Sequence, residues 1–268
     1  MNRSRIIIAS AAMAIVIIGI VIWIGVSSDS IHDLPEIVDS GRLTVVTEGG
    51  SMGFALAKDS IFGFQYEIIK AFADSLGVEL QISEQNDTKK AIEGLKTGEY
   101  DIVANVVPVT TEYTEGVVFT KTLISTRQIL VQRIPTDSLQ KNIISKQYEL
   151  ANDTVFVPYN SAYKMRIKNL SDEIAETIHI IEVKDVSAET MVRLVSEGKI
   201  KNTICSEQLS YKLKRQYPNI DISLPIGFTQ DHSWVVNAES KKLIEKLNDF
   251  LSDFIGSTAY WELYRKYY

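Results

Sequence analysis

The sequence predicts an α/β protein of two lobes preceded by an N-terminal transmembrane helix, and three observations carry that prediction. Residues 6–26 form an apolar run of 21 without a single charge. From residue 41 to the C-terminus, segments of strand-like and helix-like periodicity alternate. That alternation comes as two successive series, each long enough for a lobe with its own core.

The apolar run comes first. Arg3 and Arg5 precede it, Ser10 is its one hydroxyl, and Trp23 stands near its far end. At about 1.5 Å per residue, such a helix spans the roughly 30 Å hydrocarbon core. A cleaved signal peptide has a shorter apolar region of about 7–15 residues. An uncleaved anchor is therefore expected, with a cleaved signal and a buried soluble helix as the alternatives. The positive flank leaves residues 1–5 cytoplasmic and places the rest outside, because Asp29, Asp33, Glu36 and Asp39 follow the run. Residues 27–40 read as a polar tether.

Composition narrows the rest. The 268 residues are 45% hydrophobic, 23% charged and 9% aromatic, as in an ordered globular chain. A net charge of −6 argues against a nucleic-acid partner. One cysteine, Cys205, leaves neither an internal disulfide nor a thiolate zinc cage. Three scattered histidines, His32, His179 and His232, give no metal-binding pattern, so neither a metal nor a cofactor is expected.

The elements then follow in order. Leu43-Thr-Val-Val-Thr47 is a β-branched strand. After Gly63, Ile68, Ile69, Phe72 and Leu76 fall on one helical face, and Gly77 stands as a C-terminal cap. Val78-Glu-Leu-Gln-Ile82 alternates with period two. Residues 89–97 are helical, with Gly98 as the stop, and Asp101-Ile-Val-Ala-Asn-Val-Val107 is an apolar strand buried on both faces. The second series has strands at 154–157, 178–183 and 202–205. Its helices run over 162–170, after the cap Ser187, and over 208–216. Ser233-Trp-Val-Val-Asn237 is a last strand, Ser240 caps a long amphipathic helix, and the aromatic tail from Tyr260 to Tyr268 forms a helix docked on the first lobe.

Within this order, Gly41-Arg-Leu-Thr-Val-Val-Thr47, Gly63-Phe-Gln-Tyr-Glu-Ile68 and Gly98-Glu-Tyr-Asp-Ile-Val-Ala104 resemble the family 3 extracellular solute-binding proteins. So does Thr110-Thr-Glu-Tyr-Thr-Glu-Gly-Val-Val-Phe119. Ser233-Trp-Val-Val-Asn237 and Tyr260-Trp-Glu-Leu-Tyr-Arg-Lys-Tyr267 are closer to the solute-binding-like domain of the membrane-bound lytic transglycosylase F group. The resemblance implies a periplasmic-binding-protein-like fold of type II. Its first lobe would be residues 41–132 with 228–268, and its second 133–227. The chain would cross between lobes at Gln128-Ile-Leu-Val-Gln-Arg133 and at Asp231-His-Ser-Trp234, and the lobes would close on a small molecule like a hinged shell.

The resemblance also assigns site residues. Tyr113 stands where an arginine pairs with the ligand carboxylate in amino-acid-binding members, and Ser206 where an aspartate takes the ammonium. Backbone and hydroxyl groups for the ligand would come from the strand end near Asn105, Val106 and Pro108, and from the second-lobe loop Asn160-Ser161-Ala162. Phe54 would cover the ligand, with Thr110 and Tyr159 completing a polar, aromatic and uncharged surface. Each residue also has a plainer reading. Tyr113 and Phe54 can pack within their lobe, Ser161 can cap a helix, Trp234 reads as core or hinge, and Cys205 as core.

Without the charged pair, a buried zwitterion would cost several kcal/mol. A free amino acid is therefore a poor expectation, and a ligand with hydroxyls and amides, such as a cell-wall fragment, a better one. The expected function is a membrane-tethered, noncatalytic binding or sensing module outside the cytoplasm, with a permease or a cell-wall enzyme as partner. The alternatives are the substrate-binding component of an ABC transporter for an amino-acid-like metabolite and an enzyme of cell-wall turnover. The sequence ends at Tyr268, before the helical domain that carries catalysis in the transglycosylase F group, so catalysis is not expected.

Overall fold

The computed structural model describes residues 30–57, 60–108, 115–135 and 143–268. The apolar run at 6–26 lies outside these residues, so the expected anchor does too. Among the described residues, no helix is long and apolar enough to cross a membrane.

Residues 31–268 form one compact unit built on two sheets. The first begins with helix α1 (Leu34–Ser40) and strand β1 (Arg42–Thr47), then a hairpin of β2 (Ala55–Ala57) and β3 (Ser60–Phe62). Helix α2 (Phe64–Leu76), β4 (Glu79–Glu84), α3 (Thr88–Thr97), β5 (Ile102–Pro108), β6 (Val117–Phe119) and β7 (Ile124–Thr126) follow. The second lobe holds β8 (Gln128–Arg133), β9 (Thr154–Pro158), α4 (Ala162–Glu173), β10 (His179–Val183), α5 (Ala188–Ser196), β11 (Asn202–Ser206), α6 (Glu207–Gln216) and β12 (Ile220–Pro225). The chain then returns to the first through β13 (Gln230–Asn237), α7 (Lys241–Phe254) and α8 (Thr258–Tyr267). Strand order is β4-β1-β5-β13-β6 in one sheet, with β7 on β13, and β10-β9-β11-β8-β12 in the other.

The parallel triplets β4-β1-β5 and β10-β9-β11 are the strands read as apolar or alternating, and their helices cover them as expected. Phe64, Ile68 and Phe72 of α2 are fully buried, as are Leu243, Leu247 and Leu251 of α7. Each such side chain contributes on the order of 1.5–3 kcal/mol. Trp234 is core: it is fully buried, and its indole N–H donates to Gln65 Oε1 at 2.7 Å. Cys205 is core as well, and burial pushes its thiol pKa up. The aromatic C-terminus docks on α2, where Phe64 meets Tyr260, Tyr264, Tyr267 and Tyr268 edge-on.

Three boundaries differ from the sequence reading. The expected tether contains a helix at its end: Asp33 caps α1 in a capping box with Glu36, and Ile37 is buried. Residues 128–132, assigned above to the first lobe, pair as β8 with β11 and β12 in the second sheet, so the crossing falls at Arg127. The return crossing uses residues 226–229, and Asp231–Trp234 lies inside β13. The two crossings run side by side, with Gln230 opposite Thr126, Pro225 opposite Ile129, and the Ile226 N–H donating to the Gln128 carbonyl at 2.9 Å.

Candidate functional site

Parallel α/β sheets collect strand C-termini and helix N-termini at one end, and both lobes turn that end toward the other. Glu48 directly follows β1, Asn105 lies in β5, Ser161 precedes α4, Ser187 and Glu189 begin α5, and Ser206 ends β11. Together they line a partly open cavity of about 70 Å³ between the lobes, bordered also by Tyr163, Gln128 and Tyr268. That is room for only a few waters or a small polar group.

The lobes touch directly around this cavity. Ser51 gives both its main-chain N–H and its hydroxyl to Glu189 Oε2, at 3.0 and 2.9 Å. Lys212 of α6 donates to the Ser51 hydroxyl. Asn160 Nδ2 donates to Asp87 Oδ2 at 3.0 Å, and Gln208 bonds both Thr126 and the Ser125 carbonyl. The loop carrying these contacts is pinned from below, because the N–H groups of Phe64, Gln65 and Tyr66 donate to the carbonyls of Ser51, Met52 and Gly53. These are the orphan donors of the α2 N-terminus. Gly63 permits that approach, since a Cβ there would sit 2.0 Å from the Gly53 oxygen at a φ of +153°.

The electrostatics are acidic and acceptor-rich. Burial pushes the Glu48 carboxyl up to about 7, and the Glu189 charge adds to the rise. Burial also raises the hydroxyls of Tyr163 and Tyr268 well above their usual range, and Glu48 acts on both in the same direction. Lys212 is lowered by burial, against the pull of Glu189. Asn105 Oδ1 and Gln128 Oε1 are buried acceptors without a partner among the described residues.

Of the residues expected from sequence, Asn105, Ser161 and Ser206 meet at this cavity. Ser161 occupies the N-cap position of α4, yet its hydroxyl donates to the Pro158 carbonyl at 2.7 Å instead of capping the helix. Ser206 does cap α6, accepting from the Leu209 N–H at 3.4 Å. Phe54 is not on the cavity wall; its ring packs edge-on against Tyr66. Tyr159 faces a neighbouring cleft, with Lys184 over its ring. Pro108 ends β5, and Thr110 and Tyr113 lie outside the described residues.

The expectation of an uncharged wall is corrected by Glu48 and Glu189. Glu48 is preceded by a strand and followed by Gly49 and Gly50, a strand-end signal that was readable. Glu189 looks in sequence like an ordinary first-turn acid at a helix N-terminus.

Comparison with known proteins agrees with the two-lobed fold. Residues 43–268 match the bacterial extracellular solute-binding proteins, family 3. The chain is similar to the membrane-bound lytic murein transglycosylase F of Desulfosudis oleivorans, at 25% identity over 89% of this chain and 51% of that protein. For the protein of that name from Saccharophagus degradans the figures are 29%, 78% and 40%. The chain thus spans about half the length, or less, of these curated relatives. Among solved structures, the solute receptor for L-cysteine of Neisseria gonorrhoeae superposes with a TM-score of 0.75 at 16% identity, covering 88% of this chain and 93% of that one. An amino acid ABC transporter substrate-binding protein of Streptococcus pneumoniae, bound to L-arginine, gives 0.72 at 17%, covering 87% and 96%. At these identities the likeness is one of fold.

Proposed function

Because the chain belongs to the bacterial extracellular solute-binding proteins, family 3, we propose that it is a noncatalytic binding or sensing module, tethered to the outer face of the cytoplasmic membrane by residues 6–26. Its two lobes close on a small polar ligand rich in hydrogen-bond donors. One observation carries this reading: the interlobe cavity presents the carboxyls of Glu48 and Glu189 and the unpartnered oxygens of Asn105 and Gln128. Acceptors of that density favour amines, amides and hydroxyls. The one lysine beside them, Lys212, is engaged with Ser51.

The amine- and amide-bearing end of a cell-wall fragment fits this chemistry, and the likeness to murein transglycosylase F supports that choice. By the resemblance, Tyr113 stands where an arginine would hold the carboxylate of a free amino acid. Mass spectrometry of small molecules released from the purified full-length protein tests the proposal. Recovery of a donor-bearing ligand that is lost in Glu48→Gln supports it. A ligand bound equally by parent and variant overturns the assignment of the site. The tether is tested by carbonate washing, which should leave the protein in the membrane fraction; release as a chain beginning near residue 27 would show a cleaved signal.

A further inference from the structure

Beside the inner cavity runs a second groove of about 440 Å³, between α3 of the first lobe and α4 of the second. On the α3 side, Lys89, Ile92, Glu93 and Lys96 present one helical face at the spacing i, i+3, i+4, i+7. Across from them stand Lys164, Met165 and Lys168. Ile92 and Met165 supply apolar surface, and four lysines against one glutamate supply charge. Within the groove Lys164 pairs with Glu182 at 2.6 Å, and among the described residues Lys89, Lys96 and Lys168 have no carboxylate partner. What sets these lysines apart is that they converge on one groove from two lobes.

The concentration of positive charge is local to a chain whose net charge is −6. It also spans the two lobes, so closing the shell brings like charges toward one another, at a cost that a bound anion would relieve. The groove is joined to the ligand site: Ser161 lines both it and the inner cavity. The inner cavity alone holds only a small polar group, so a larger ligand needs an exit, and this groove adjoins it.

We propose that the α3–α4 groove is an anion-binding extension of the ligand site, which receives carboxylate or phosphate groups of an elongated ligand whose donor-bearing end occupies the inner cavity. The extension rests on the reading of the inner cavity as the ligand site. The groove's affinity for anions does not.

The test is calorimetric titration of the full-length protein in detergent at low salt with two amine-free probes, tripolyphosphate and citrate. At least one should bind, and the preferred probe identifies phosphate or carboxylate as the group recognised. The double variant Lys89→Gln/Lys168→Gln should weaken that binding by about tenfold. Lys241→Gln/Lys242→Gln, on α7, should leave it unchanged. Glu48→Gln should also leave it unchanged, which separates the groove from the inner cavity. Failure of both anions to bind, equal binding by parent and groove variant, or loss of anion binding in Glu48→Gln would each overturn the proposal.

Discussion

Ser51 meets Glu189 twice, through its main-chain N–H at 3.0 Å and its hydroxyl at 2.9 Å, and this pair joins the first lobe to the second at the interlobe cavity that Glu189 lines. The fit is tight. Gly50 lies at a φ of +99°, and a Cβ there would stand 2.9 Å from the same carboxylate oxygen. Hydrogen bonds to a charged acceptor are the stronger class, about 1.5–3 kcal/mol each when sheltered. The pair acts beside the lobe-to-lobe contacts of Asn160 with Asp87 and of Gln208 with Thr126, and each of them favours the closed form.

Ser51→Ala should therefore open the shell without unfolding it. Loss of the hydroxyl donor to a charged acceptor is worth about 1.5 kcal/mol or more, at least a tenfold shift toward the open form. Small-angle scattering should show a larger radius of gyration for the variant, with the melting temperature nearly unchanged. An unchanged radius together with a lower melting temperature would show that the contact supports one lobe and does not latch two.

Gly50→Ala should push the same way for a different reason. The added methyl meets Glu189 and must also adopt a left-handed backbone. The expected outcome is faster amide exchange in residues 50–53 and 188–190 than in the parent. Slower exchange there would show that the loop has room the geometry denies.

Glu48 gives a pH dependence of definite sign. Its carboxyl titrates near 7 in the folded protein, because of burial and then Glu189, against an ordinary 4.5. Between those values the folded state keeps a proton that the unfolded state has lost. Stability from this group is complete below about 4.5, falls as pH rises and levels off above 7. Glu48→Gln should be stabilised relative to the parent at pH 8 and should lose the decline across that window in urea titrations. A parent and variant whose stabilities run parallel from pH 5 to 8 would rule out a raised Glu48.

Asp33 works in the opposite direction and in a different place. Burial raises its carboxyl, but N–H donors from Leu243, Leu34 and Lys242 outweigh that and hold it low. The side chain thereby caps α1 and also accepts from the first turn of α7, at 2.7 Å from Leu243 N. Asp33→Ala should cost about 1–3 kcal/mol in urea unfolding, one capping loss for each helix. Because the folded pKa is lowered, that stability is present above about 3.8 and is lost on acidification. A loss below 0.5 kcal/mol, about the floor for one cap, would show that neither helix depends on it.

How much of this was readable depends on how local each signal is. Parallel strands and their helices stand out because periodicity and glycine caps such as Gly77 and Gly98 are written within ten residues. Helix α1 was missed although Asp33-Leu-Pro-Glu36 is a capping box, because polar residues after an apolar run read as a tether. β8 was placed in the wrong lobe because its sheet is decided by pairing with β11 and β12, more than 70 residues on. Of the residues lining the cavity, Asn105, Ser161 and Ser206 were expected through the resemblance, whereas Glu48 and Glu189 reach it from different lobes. No spacing in the chain records that convergence.

The acidity of the cavity makes a last prediction about the ligand itself. A protonated amine placed beside Glu48 and Glu189 favours the ionised form of Glu48, so binding expels the proton that Glu48 holds below pH 7. Affinity for such a ligand should rise with pH up to about 7, approaching tenfold per unit, and flatten above it. In calorimetry the apparent enthalpy should vary with the ionisation enthalpy of the buffer, as one proton or less is released. Glu48→Gln should remove both effects and weaken binding by about 1.5–3 kcal/mol, the range for a hydrogen bond to a charged group. A ligand carrying only hydroxyls and amides behaves otherwise, because it gains a stronger hydrogen bond but no ion pair from ionised Glu48, and its affinity should change far less steeply with pH. Measured on the ligand recovered from the purified protein, the steepness of that slope decides whether the two carboxyls read a charge or only a pattern of donors.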